Sequence, residues 1–118
     1  MKYMLMIYQN ADVWTALPEQ EQQAVMSEGG RRWQELVATG EGIMGEPLAD
    51  PRDSRIVRVR NGFPEVTDGP FVDAKEQFVG FLIIDVADEE RAVEIAKSWP
   101  DARFSALEVR LIHVENAK

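Results

Sequence analysis

Ionisable side chains crowd one short stretch of the sequence. Asp68, Asp73, Lys75 and Glu76 are threaded through Val66-Thr-Asp-Gly-Pro-Phe-Val-Asp-Ala-Lys-Glu-Gln-Phe-Val-Gly-Phe81. The chemistry these residue types support is carboxylate chemistry. Asp68, at a turn beside Phe71 and close to apolar strands, is a candidate general acid or base. Glu76 is a second candidate, either as the acid itself or as a partner of Lys75 or Arg58. Lys75 offers a charge that orients or stabilises an anion, and Arg58 joins it if the neighbouring hairpin folds over the site. Phe71, Phe78, Phe81 and Met4 would line such a site with apolar surface, and Tyr8 would bring a hydroxyl to it. Gly69 and Pro70 would shape the backbone against a bound molecule. The plainer reading is that Asp68-Gly69-Pro70 is only a tight connection with solvated charges around it.

What must hold these residues in place follows from their neighbours. Gly69 permits positive φ, and Pro70 fixes its own φ and steers Gly69 away from the right-handed helical region. Phe78 to Val86 is an almost unbroken apolar run, which predicts a buried strand behind the charged stretch. Ahead of it, Arg55 to Arg60 alternates polar and apolar residues, and Asn61-Gly62 is a strong type I′ hairpin signal leading into Phe63 to Thr67. The twist of that hairpin sets where Asp68 to Phe71 point.

Six further segments complete the scaffold. Lys2 to Tyr8 reads as a first strand with Tyr3 and Tyr8 on opposite faces. Asn10 to Pro18 reads as a loop with at most one helical turn. Pro18, Glu19 and Glu21 start a helix that runs to Thr39 with Val25, Met26, Trp33, Leu36 and Val37 near one face and Gly40 as its stop. Gly29-Gly30 inside it predicts a kink or a close packing contact, since each glycine costs about 1 kcal/mol relative to alanine there. Gly42 to Leu48 is a short strand that Pro47 confines to an edge or an end. Asp88 caps a second helix with Ala92, Val93, Ile95, Ala96 and Trp99 on its apolar face, and Leu107 to Val114 is the last strand. Without the hairpin the order is βαββαβ, the ferredoxin-like α+β plan, in which two helices cover one face of an antiparallel sheet. Central strands this apolar predict that the other sheet face is covered too, most economically by a second copy in a two-fold dimer.

Composition narrows the classes. The 118 residues fit one domain, residues 1–118. A formal net charge of −8 disfavours nucleic acid and anionic membrane as partners, although Arg52, Arg55, Arg58 and Arg60 form one short basic strip. Cysteine is absent, which excludes disulfides, thiolate metal sites and a cysteine nucleophile. No phosphate-binding, dinucleotide or serine-hydrolase motif occurs, so no cofactor and no metal is expected. The apolar part of the first strand is too short for a signal peptide or a membrane span, and a cytoplasmic location is the default expectation.

The Asp68-Gly-Pro-Phe71 signature, followed by Lys75-Glu76 and by Gly80 before an aromatic strand, resembles the DGPF branch of the YCII-related family. Lys2 to Tyr8, Gly45-Glu-Pro-Leu48, Val57 to Arg60 and Ile84 to Asp88 resemble that family's pattern as well, so the likeness spans essentially the whole chain. The resemblance implies a dimeric α+β barrel with a cleft near the sheet edges, and says little about a reaction. Broader members carry a suggested His/Asp pair. The one histidine here, His113, lies near the C-terminus and does not match it. The expected function is therefore a small-molecule-binding or accessory homodimer. The alternative is a cofactor-free isomerase-, dehydratase- or lyase-like enzyme that uses carboxylate acid/base chemistry at the Asp-Gly-Pro-Phe turn.

Overall fold

The computed structural model describes residues 1–113. Its strands are β1 (Lys2–Asn10), β2 (Gly42–Pro47), β3 (Arg55–Arg60), β4 (Phe63–Asp68), β5 (Glu76–Asp85) and β6 (Ala106–Leu111). Its helices are α1 (Ala11–Ala16), α2 (Glu19–Thr39) and α3 (Glu89–Ser98). Four strands form an antiparallel sheet in the order β2-β5-β1-β6, while β3 and β4 pair only with each other. This is the ferredoxin-like α+β plan with an inserted hairpin, as the element order predicts.

One face of the sheet carries the core. Tyr3 and Leu5 of β1 and Leu82 and Ile84 of β5 point to the same side, where Leu36 of α2 and Ala92 and Ile95 of α3 close over them. Leu5, Ile84 and Ile95 are fully buried, and each such side chain contributes about 1.5–3 kcal/mol of burial. Asp88 caps α3 by accepting from the Arg91 N–H at 2.9 Å, as its sequence position predicts. The bidentate Arg91–Glu41 pair, 2.8 Å at both contacts, then ties α3 to the turn after α2.

The structure revises several local expectations. Residues Ala11–Ala16 form a helix, not a loop, because the Asn10 side chain accepts from the Asp12 and Val13 N–H groups and caps it. Helix α2 runs unbroken through Gly29-Gly30. Its buried stripe is narrower than expected, for Val25 and Leu36 are buried whereas Met26 and Val37 are exposed. Gly29 lies in that stripe beneath Trp99 and Pro100, which would stand 3.7 and 3.8 Å from a Cβ added there, an ordinary contact distance, so close packing does not demand glycine at this position. Strand β5 starts at Glu76, ahead of the expected Phe78, and β6 ends at Leu111; the expected end, Val114, lies outside the described residues.

The hairpin follows its sequence signal. Asn61 (φ 51°) and Gly62 (φ 80°) both occupy the positive-φ region that a type I′ turn requires. The Asp-Gly-Pro corner does not behave as expected, since Asp68 is the last residue of β4, opposite Arg55, and Gly69 does not adopt positive φ. The Gly69 N–H donates to the Ser54 carbonyl at 2.9 Å, and a Cβ on Gly69 would overlap the Ser54 Oγ. The position favours glycine because the Ser54 side chain occupies the space that a Cβ would take. The Gly69–Pro70 peptide bond is cis.

Candidate functional site

The far side of the sheet positions the site. Cross-strand register places Met4 opposite Ile83, Met6 opposite Phe81 and Tyr8 opposite Phe78, all on the face away from the helices. Met44 and Glu46 of β2 and Glu108 and Arg110 of β6 share it. No helix of the described residues packs on this face, and Phe78 and Met44 are exposed there.

At one end of this face the hairpin base and the residues after it fold toward β1 and β5 and enclose a cleft of about 510 Å³. Tyr8, Glu76 and Phe78 come from the sheet, Ser54 and Ile56 from the foot of the hairpin, and Pro70, Phe71 and Val72 from the Asp-Gly-Pro-Phe segment. Leu48 and Pro51 add further apolar wall. The size suits a small organic molecule, and an apolar wall with a few convergent polar groups is the usual composition of a ligand site.

Polar contacts of Tyr8, Glu76 and Gln77 fix the cleft. The Tyr8 hydroxyl donates to Glu108 at 3.2 Å, and its ring lies 5.9 Å from that of Phe78. Burial first, and then the negative charge of Glu108 and its hydrogen bond, push the Tyr8 phenol above the ordinary tyrosine value. Arg110 pairs with Glu108 and opposes part of that shift. The Glu76 carboxylate accepts a hydrogen bond from the Ser105 hydroxyl, which links the start of β5 to the start of β6. The Gln77 side-chain amide donates to the Val72 carbonyl at 2.9 Å and the Ala74 carbonyl at 2.6 Å, pinning the loop that carries Phe71 to the sheet.

The candidate residues divide. Tyr8, Pro70, Phe71 and Glu76 line the cleft together. Arg58 stands above its rim, with the guanidinium 4.9 Å from the centre of the Phe71 ring in a cation–π contact. Gly69 sits beneath it, holding Pro70 and Phe71 against Ser54. Asp68 lies outside the cleft, with a side chain 85% exposed and an ion pair to Arg55 at 3.5 Å, because its place in β4 turns it toward the opposite face of the hairpin. Lys75 is exposed and does not line the cleft, and Phe81 lies farther along the open face. His113 is exposed.

Ser54, Gln77, Ser105 and Glu108 were not singled out by the sequence. For Glu108 a signal existed, since β6 alternates so that Glu108 opposes Leu107 and Val109, and the ferredoxin-like order sets β6 beside β1. For Ser54, Gln77 and Ser105 the contacts depend on where loops close, which no local pattern records.

A second concavity, of about 910 Å³, lies behind the Leu48–Pro51 wall and is bordered by Trp14, Val25, Asp73 and Asp101. Burial pushes the Asp101 carboxyl up. Among the described residues no three His, Asp or Glu side chains are grouped to hold a metal ion, and no helix is long and apolar enough to cross a membrane.

Two comparisons bear on this geometry. A family model described as the YCII-related domain matches residues 1–115. An uncharacterised protein of Rhizobium meliloti (strain 1021), R00369, is 30% identical over 105 residues, covering 89% of this chain and 85% of that protein.

Proposed function

Since the chain belongs to the YCII-related family, we propose that it is a homodimer that binds a small organic molecule in the cleft beneath Phe71. The observation that carries this reading is the convergence of Tyr8, Glu76 and Phe71, from three separated parts of the sequence, on one cavity of about 510 Å³. Neither lysine nor arginine lines it, while Glu76 and Asp53 do. The chemistry it favours is an uncharged or cationic molecule with a flat apolar body and hydrogen-bond donors that meet Glu76 and the Tyr8 oxygen.

The dimer rests on the open sheet face. Met4, Met6, Phe81 and Ile83 form an apolar surface that a soluble chain covers, and an isologous pairing of two sheets covers it twice with one contact. Chemical-shift mapping of a fragment library tests the cleft. Perturbations centred on Tyr8, Glu76, Phe71 and Phe78 support it, and an absence of binders, or binders that map only elsewhere, removes it.

One observation favours a second reading, a cofactor-free isomerase-, dehydratase- or lyase-like enzyme. Glu76 and a phenol whose proton is held by a carboxylate face the same cleft, a pairing suited to moving a proton between two positions of a bound molecule. Exchange of ligand C–H protons with deuterated solvent, lost in Glu76→Gln, separates this reading from simple binding.

A further inference from the structure

Side-chain hydrogen bonding inside the cleft beneath Phe71 is one-sided. Tyr8, Ser54 and Gln77 are the lining residues whose side chains carry a hydrogen to donate, and each commits it within the chain. The Tyr8 hydroxyl donates to Glu108 at 3.2 Å, and the Ser54 hydroxyl donates to the Pro51 carbonyl at 2.6 Å. The Gln77 amide divides its hydrogens between the Val72 and Ala74 carbonyls, at 2.9 and 2.6 Å. What these side chains keep for a ligand is lone pairs. The other polar side chains on the wall, Asp50, Asp53 and Glu76, are carboxylates and only accept. Asp50 is committed to Arg52, which bonds it through its backbone N–H and its guanidinium. Asp53 and Glu76 form no ion pair among the described residues, so their charge is left for whatever enters. The Ser105 hydroxyl donates to Glu76 and holds that carboxylate in place without neutralising it.

We infer that the cleft selects a primary organic ammonium, an N–H-bearing cation on a flat apolar body, and rejects carboxylates, phosphates and quaternary ammonium ions. The inference rests on the small-molecule reading above and settles on one class where that reading admits uncharged and cationic ligands alike. An ammonium head brings three donors and a positive charge to a wall of acceptors. A carboxylate or phosphate meets like charge and no side-chain donor. A quaternary ammonium brings charge but no hydrogen for the Tyr8 oxygen, and an alcohol brings one hydrogen but leaves Asp53 and Glu76 unneutralised. The formal net charge of −8 draws cations to the molecule as a whole. Arg58 stands outside the cleft with its guanidinium over Phe71, which assigns the ammonium to the Glu76 end and the apolar body to the Phe71 end. A bare metal ion is the poorer fit, since among the described residues no three acidic or histidine side chains are gathered to hold one, and the apolar wall would stay uncovered.

Isothermal titration calorimetry of the full chain with probes of one shape tests this: phenethylamine, its N,N,N-trimethyl analogue, 2-phenylethanol and 3-phenylpropanoate. Phenethylamine is expected to bind about tenfold or more tightly than each of the others, and to lose about tenfold or more in Glu76→Gln. Its amide chemical-shift changes should centre on Tyr8, Glu76 and Phe71. Equal binding of the trimethyl analogue or the alcohol overturns the inference, as does a preference for 3-phenylpropanoate; shifts at those same residues would then keep the cleft as a site for another class. Phenethylamine binding that a Glu76→Gln/Asp53→Asn double variant leaves unchanged overturns it as well. If no probe binds, the inference falls and the fragment screen judges the cleft by itself. The ranking of the probes is read on the wild-type chain, so it decides the matter even where a variant fails to fold.

Discussion

The Tyr8 hydroxyl donates to the Glu108 carboxylate at 3.2 Å, joining side chains one hundred residues apart across the neighbouring strands β1 and β6. The bond commits the phenolic proton to Glu108 and leaves the phenolic oxygen free to accept from whatever occupies the cleft. It also makes the floor of the cleft an electrostatic unit, in which the neutral phenol is favoured by burial and by the adjacent negative charge.

That unit can be titrated. In a Tyr3→Phe background Tyr8 is the one remaining tyrosine, and its ultraviolet difference titration is expected to have a midpoint above the ordinary value of about 10. The folded value lies above the unfolded one. The stabilising contribution of the neutral phenol is therefore fully present below about pH 10 and is lost as pH rises through the folded value. Adding Glu108→Gln removes the second and third causes of the shift and should bring the midpoint down. An unmoved midpoint would mean that burial alone sets it.

The Arg91–Glu41 pair makes the opposite prediction at low pH. The Arg91 guanidinium holds the Glu41 carboxyl below its usual range, helped by the Thr39 hydroxyl and opposed by burial. With the folded value depressed, the contribution is present above the ordinary glutamate value of about 4.3 and is lost as pH falls through the folded one. Glu41→Gln should cost about 1–2 kcal/mol in urea unfolding at neutral pH, and the cost should shrink in that acidic window. A cost independent of pH would show that the pair does not act through charge.

Gly69→Ala tests why glycine stands in the Asp-Gly-Pro corner. The added methyl meets Ser54, whose Oγ is held by a 2.6 Å hydrogen bond to the Pro51 carbonyl, so Ser54 cannot simply swing aside. A loss of about 1–3 kcal/mol is expected, as for other overpacked sites. In a Ser54→Ala background, thermal unfolding should show a smaller loss; equal losses would point to backbone conformation at Gly69 instead.

Gln77→Ala should loosen the Phe71 loop while leaving the core alone. The amide's two bonds to the Val72 and Ala74 carbonyls would be gone, and hydrogen exchange should accelerate at residues 71–75 with little change in β1 or α3. Global acceleration would contradict a local role.

The scaffold was legible in the sequence because its signals are local. Asn61-Gly62 marked the turn, Asp88 marked the cap of α3, and alternation put Tyr3 and Tyr8 on opposite faces, of which the structure buries Tyr3 in the core. The candidate site was half legible. Tyr8, Phe71 and Glu76 were singled out, and they do share a cleft. Asp68 was read as a corner residue because Asp-Gly-Pro is a strong local turn signal, yet its place is set by pairing with Arg55, thirteen residues upstream in the hairpin register. The reason for Gly69 is likewise a contact with Ser54 and not its own φ. Residues whose roles come from loop closure, such as Gln77 and Ser105, carry no local mark at all.

The central claim is that the cleft beneath Phe71 binds a small molecule, and a thermal-shift screen on four proteins tests it most directly. The account predicts at least one organic ligand that raises the melting temperature of the wild type and of Asp68→Asn, while Glu76→Gln and Phe71→Ser, though folded, lose the shift. Ligands that stabilise all four proteins equally, or that lose their effect only in Asp68→Asn, would contradict it.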